Sequence, residues 1–225
     1  MVRIIDYKIN TGEYNMNFDK EILDEAVKMQ STEPILRFYG WSPACVSLGR
    51  NQSDANINKE YCRQNNIDIV RRPTGGKGLL HDKEITYSFV CAANTINGGE
   101  SIIKSYKEIS AALIDGFKTL NIDLTIGGKP QKELSHDYCM LLSTGADLCF
   151  NNKKLIGSAQ YRKQGYILQH GSILLDYDKN KLEKIFNETT SENCITDIKE
   201  INNSLSPEEI ITALKQSFMN KFSYL

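Results

Sequence analysis

Phe150-Asn151-Asn152-Lys153-Lys154-Leu155-Ile156-Gly157-Ser158-Ala159-Gln160, continued by Tyr166-Ile167-Leu168-Gln169-His170-Gly171-Ser172-Ile173, decides how this chain folds. Two adjacent asparagines between apolar, β-prone runs read as a tight hairpin turn, because Asn tolerates the positive φ such turns demand. With Asn151-Asn152 as a two-residue turn, Phe150 pairs with Lys153 and Cys149 falls opposite Lys154. The segments 146–150, 153–160 and 166–176 then make an antiparallel meander. Side chains alternate along a strand, so one of Lys153 and Lys154 faces inward. A lysine is costly to bury, and the inward one is a functional candidate.

Working outward, residues 3–9, 35–41, 44–50, 67–72 and 85–92 read as further strands, the second and third separated at Ser42-Pro43. A first helix takes Asn17 as its cap and buries Phe18, Ile22, Leu23, Ala26 and Met29. A short helix covers 58–65. The clearest one spans 100–120, with Ser101 as cap and an apolar stripe of Ile102, Tyr106, Ile109, Leu113, Phe117 and Leu120. Residues 131–143 have no periodicity and read as a loop of the kind that carries function. Helices over 179–187 and 207–222 close the chain, the last with a capping box of Ser206 and Glu209 around Pro207. No repeat or linker divides the sequence. The expectation is one α+β domain over residues 1–225, with mixed and antiparallel sheets flanked by helices.

Composition narrows the function. A net charge of -1 over 225 residues offers no general attraction to nucleic acid or to an anionic membrane. No apolar run has the length that crosses a bilayer, and the N-terminal residues read as a strand rather than a signal peptide, which makes the cytoplasm the default compartment. Six cysteines without a CxxC pair argue against zinc and for free, buried thiols.

A second glycine-rich stretch, Arg71-Arg72-Pro73-Thr74-Gly75-Gly76-Lys77-Gly78-Leu79-Leu80-His81-Asp82, lies earlier in the chain. It has neither the P-loop spacing nor the dinucleotide fingerprint. By itself it is either a tight turn or a cradle of backbone N–H groups; Arg71, Arg72, Lys77 and His81 favour an anionic or carbonyl ligand. On spacing alone His170 reads as a hydrogen-bonded structural histidine before it reads as a catalyst.

This second stretch resembles the RR-x-[ST]-G-G-x-x-x-x-H-D signature of the lipoate–protein ligase and octanoyltransferase family, which is related to the biotin–protein ligases. Lys154-Leu155-Ile156-Gly157-Ser158-Ala159-Gln160 with His170-Gly171-Ser172 resembles its second signature, and Phe38-Tyr39-Gly40-Trp41-Ser42-Pro43 followed by Ser47-Leu48-Gly49-Arg50 a third. The motifs fall in order between about residue 30 and residue 178, leaving C-terminal helices over 179–225. The resemblance implies a biotin/lipoate-ligase-like catalytic domain. It favours the octanoyltransferase branch, because Lys77 stands where ligases tend to have a third glycine and the chain ends too soon for the ligases' accessory domain. That branch uses a cysteine fifteen residues before the signature lysine, the position of Cys139 relative to Lys154, although Met140 replaces the usual phenylalanine.

What the resemblance implies is a two-step acyl transfer. Cys139, its thiolate favoured by Lys154, takes the octanoyl group from octanoyl-acyl carrier protein. The lysine of an apo lipoyl domain, first among them the glycine cleavage H protein, then accepts it. Substrate-binding roles fall on Arg72, Thr74, Gly75, Gly76, Lys77, Gly78, His81, Gly157, Ser158, Ala159, Gln160, His170 and Gly171. No metal or cofactor enters, and the enzyme is a monomer. Hairpin geometry nominates Cys149 as nucleophile instead of Cys139. The alternatives are an ATP- and Mg-dependent lipoate ligase without its accessory domain, a lipoyl-domain amidotransferase, and a non-catalytic binder of lipoyl domains.

Overall fold

Asn151 and Asn152 both adopt left-handed backbone conformations, at φ 48° and 64°, and close the expected two-residue hairpin. It joins β8 (Leu148–Phe150) to β9 (Lys153–Lys163), which turns back at Gln164 and Gly165 into β10 (Tyr166–Leu174). Phe150 pairs with Lys153 and Cys149 with Lys154, the register the turn dictates.

The computed structural model describes residues 1–128, 147–189 and 194–223. Within them the remaining strands are β1 (Arg3–Asn10), β2 (Ile35–Trp41), β3 (Cys45–Leu48), β4 (Asp68–Arg71), β5 (Leu79–His81), β6 (Glu84–Ala92) and β7 (Thr125–Ile126). The helices are α1 (Gly12–Met29), α2 (Lys59–Gln64), α3 (Ile102–Lys118), α4 (Lys179–Phe186), α5 (Ile198–Ile201) and α6 (Pro207–Phe222). A seven-stranded sheet runs β1-β2-β6-β10-β9-β8-β7, and a three-stranded one runs β4-β3-β5. Only the β1–β2 and β3–β4 pairs are parallel, so both sheets are mixed.

The two faces of the large sheet have different partners. Leu36, Phe38, Tyr87 and Phe89 pack under α3 and α6, against Leu113, Phe117, Leu214 and Phe218. Each such fully buried apolar side chain contributes about 1.5–3 kcal/mol. On the other face α1 packs Ile22, Leu23 and Ala26 against Ile35, Val90 and Leu168. The small sheet stands beside α1 on this side and is closed by α2 and α4 through Val46, Leu80, Cys62 and Phe186. The space between the sheets is where the two glycine-rich stretches meet.

Several expectations need correction. The cap of α1 is the Thr11 hydroxyl, six residues before Asn17, and the helix begins at Gly12. Met29 and Ile102, placed on apolar stripes, are 69% and 59% exposed because each sits at the end of its helix, beyond the sheet. β5 forms inside the stretch read as a turn, and β7 and α5 had no periodic signal at all. Capping of α3 by Ser101 and the capping box of α6 form as expected. The loop 131–143 and Cys139 lie outside the described residues.

Candidate active site

Between the sheets lies a narrow, partly open cleft. Its walls follow from strand alternation. On β10 the side chain of His170 points at α1, so Ser172, two residues on, faces the same way. Gly157 and Ala159 on β9 pair with Ser172 and His170 and complete the floor. The opposite wall is apolar, with Met16 from α1, Trp41 from β2 and Leu79 from β5. Of the residues singled out in the sequence, Arg72, Gly76 and His81 line the cleft from the arginine-glycine stretch, and Gly157, Ser158, Ala159, His170 and Gly171 from β9 and β10.

A buried polar network stiffens these walls. Arg72 donates from Nε to the Thr74 hydroxyl (3.1 Å), from Nη1 to the Ser47 carbonyl (2.8 Å), and from Nη2 to the carbonyls of Gly75 (2.8 Å) and Lys77 (2.7 Å). It therefore holds the glycine turn in shape from inside. Gly76 needs its φ of 94°, and a methyl on Gly49 would come within 1.9 Å of the Gly76 carbonyl, so glycine is required at both. Thr74 passes the network to His170 Nε2 (2.8 Å), whose Nδ1 faces the Asp19 carboxylate at 3.3 Å. Asp19 also accepts from Arg37 (2.9 Å) and from the Tyr39 hydroxyl (2.8 Å).

Electrostatics follow from this burial. Loss of hydration pushes the His170 imidazole below its ordinary value, helped by Arg72 and His81 and opposed by Asp19. Burial works to raise the Asp19 carboxyl, yet His170, Arg37 and Tyr39 together hold it below the usual range. With His170 neutral and Asp19 ionised, Nδ1–H donates to Asp19 and Nε2 accepts from Thr74. Across the cleft the His81 ring stacks on Trp41 at 3.9 Å, with Nε2 2.8 Å from the Ser47 hydroxyl and Nδ1 3.0 Å from Glu84. Glu84 is bound in turn by Thr86, which accepts from Trp41 Nε1 (2.8 Å).

Other sequence candidates sit elsewhere. Thr74, Gly75 and Lys77 act on the cleft through their bonds to Arg72 and His170, and Gly78 is buried behind them. Gln160 is turned to the opposite side of the sheet, where it bonds Ser105 and Gln169. Lys154 is the inward lysine, 1% exposed, while Lys153 pairs with Glu200 near solvent. The Lys154 ammonium lies 3.1 Å from the buried Asp147, three residues along β9 from the glycine wall.

Sequence reasoning missed Asp19, Ser47, Glu84 and Asp147. One signal was present: Arg37 stands alone in the otherwise apolar run of β2, and an isolated buried charge requires a partner such as Asp19.

The model of the lipoyl protein ligase A/B catalytic domain matches residues 11–219. The chain belongs to that family. Within it, the chain falls in the octanoyltransferase branch and is an acyltransferase. It is 41% identical to Octanoyltransferase LipM of Clostridioides difficile (strain 630) over 194 residues, 84% of this chain and 71% of that protein. It is 34% identical to the Halalkalibacterium halodurans LipM over 239 residues, covering 96% and 85%. The fold of the lipoyl ligase family is also that of the Thermoplasma acidophilum protein Ta0514, a putative lipoate protein ligase solved with bound lipoic acid. The TM-score is 0.77 at 21% identity, covering 99% of this chain and 86% of that one.

Proposed function

We propose that the protein transfers an octanoyl group from octanoyl-acyl carrier protein to the target lysine of an apo lipoyl domain, the glycine cleavage H protein first among them, as a step of lipoate biosynthesis. The Cys139 thiolate adds to the thioester carbonyl; the bond to the carrier's sulfur breaks, and the carrier leaves as its thiol. The acceptor lysine amine then attacks the enzyme thioester, forming an amide and returning Cys139 to its thiol. Lys154 supplies the positive charge that favours the thiolate. The chain works as a cytoplasmic monomer without metal or nucleotide.

The observation that carries this reading is a half-enclosed cleft with one apolar wall, built on the strand that holds the buried Lys154, in a relative of octanoyltransferases. Each methylene buried there contributes about 0.8 kcal/mol, so the hydrocarbon chain alone accounts for several kcal/mol of donor affinity. Gly157, paired with Ser172, leaves room for the thioester at the floor.

The test is transfer to apo H protein from octanoyl-acyl carrier protein with ATP and magnesium omitted. Octanoylated acceptor is the expected product. Modification that appears only with free lipoate or octanoate plus ATP would assign the ligase reaction instead.

A further inference from the structure

Ser172 is fully buried on the floor of the cleft, and its hydroxyl has no hydrogen-bond partner in the protein. Its neighbours are already committed. Across β6 the Thr86 hydroxyl bonds Glu84 and accepts from Trp41, and across β9 stands Gly157, which has no side chain. Along β10, both ring nitrogens of His170 are occupied by Thr74 and Asp19. A buried hydroxyl left in this state lowers stability, and one that lies on a cleft wall is available to a ligand seated there.

We propose that the Ser172 hydroxyl donates a hydrogen bond to the carbonyl oxygen of the acyl thioester seated in the cleft, making Ser172 a catalytic residue. This rests on the acyl-transfer reading above. The oxygen gains negative charge as the thiolate adds, so a donor fixed in a strand strengthens its bond in the transition state without reorganising. No proton is transferred and no bond to Ser172 forms.

A control is built into the fold. Ser88 on β6 is buried on the same face of the sheet, two residues from Thr86, and its hydroxyl is likewise unpartnered, but it is not on the cleft wall. Ser172→Ala and Ser88→Ala should both melt at or above the wild-type midpoint, since each removes an unsatisfied hydroxyl. Octanoyl loading from octanoyl-acyl carrier protein, followed by rapid quench and intact mass, should slow at least about tenfold in Ser172→Ala and stay unchanged in Ser88→Ala. Calorimetry with an octanoyl-pantetheine ketone, in which CH2 replaces the thioester sulfur, should show weaker binding to Ser172→Ala alone. Wild-type loading and ketone affinity in Ser172→Ala would overturn the assignment, as would a loss matched by a lowered midpoint. If the wild type fails to load but Ser172→Ala still binds the ketone more weakly, the acyl-enzyme reading fails and the Ser172 contact stands.

Discussion

Lys154 and Asp147 form an ion pair of 3.1 Å with side-chain exposures of 1% and 3%. Asp147 immediately precedes β8, so the pair ties β9 to the start of its hairpin partner. A buried pair of this kind adds little net stability over an apolar pair, but breaking it by removing one partner leaves a buried charge.

Lys154→Met and Asp147→Asn are therefore each expected to cost about 3–5 kcal/mol in urea unfolding. The double variant Lys154→Met/Asp147→Leu should recover most of that loss while remaining unable to transfer the octanoyl group. Recovery of stability without recovery of activity separates the lysine's chemical role from its structural one.

Acid should weaken the fold in two stages. His170 has a folded-state pKa below its ordinary value of 6.5, so the unfolded chain takes up that proton first as the pH falls. Its contribution is complete above about pH 6.5 and is lost below it. Asp19 is also depressed, from 3.8, and its contribution disappears further down, with the same sign. His170→Gln removes the first stage, so its stability should change less than wild type's between pH 7 and pH 5.5.

The glycine turn offers a matched pair. Gly49→Ala drives a methyl into the Gly76 carbonyl and should reduce loading, with a stability loss of about 1–3 kcal/mol. Gly75→Ala meets nothing within 4 Å and lacks a positive φ, so it should fold and load normally. Thermal melts and loading rates on the two variants check both statements.

Much of this site was legible because its signals are local. Asn151-Asn152 set the hairpin register, and strand alternation required one of Lys153 and Lys154 to face inward; the buried one is Lys154. The Ser206 capping box closes within four residues and was read correctly. What escaped depends on contacts distant in sequence. Asp19 meets His170 from 151 positions away, and nothing in α1 alone separates it from a surface aspartate. Short β5 gains its strand character only from β3, so by itself it looks like the tail of a turn. The cap of α1 lies earlier than its periodicity suggests because Thr11 precedes a polar first turn, whereas Asn17 stands just before Phe18, where the apolar spacing of Phe18, Ile22 and Leu23 starts.

Cys149 is buried and faces Lys154 across the hairpin, the position that made it a rival nucleophile. A thiol enclosed in this way is expected to act as packing, and Cys149→Ser should lower stability by about 1–3 kcal/mol while leaving loading intact. Urea unfolding and the loading rate measure the two effects separately.

The most direct measurement is the intact mass of the protein after mixing with octanoyl-acyl carrier protein, without ATP, in wild type, Cys139→Ser and Cys149→Ser. A single octanoyl adduct in wild type and Cys149→Ser, absent from Cys139→Ser, is the predicted result. An adduct lost only in Cys149→Ser, or none in any form of the protein, would contradict the acyl-enzyme on Cys139.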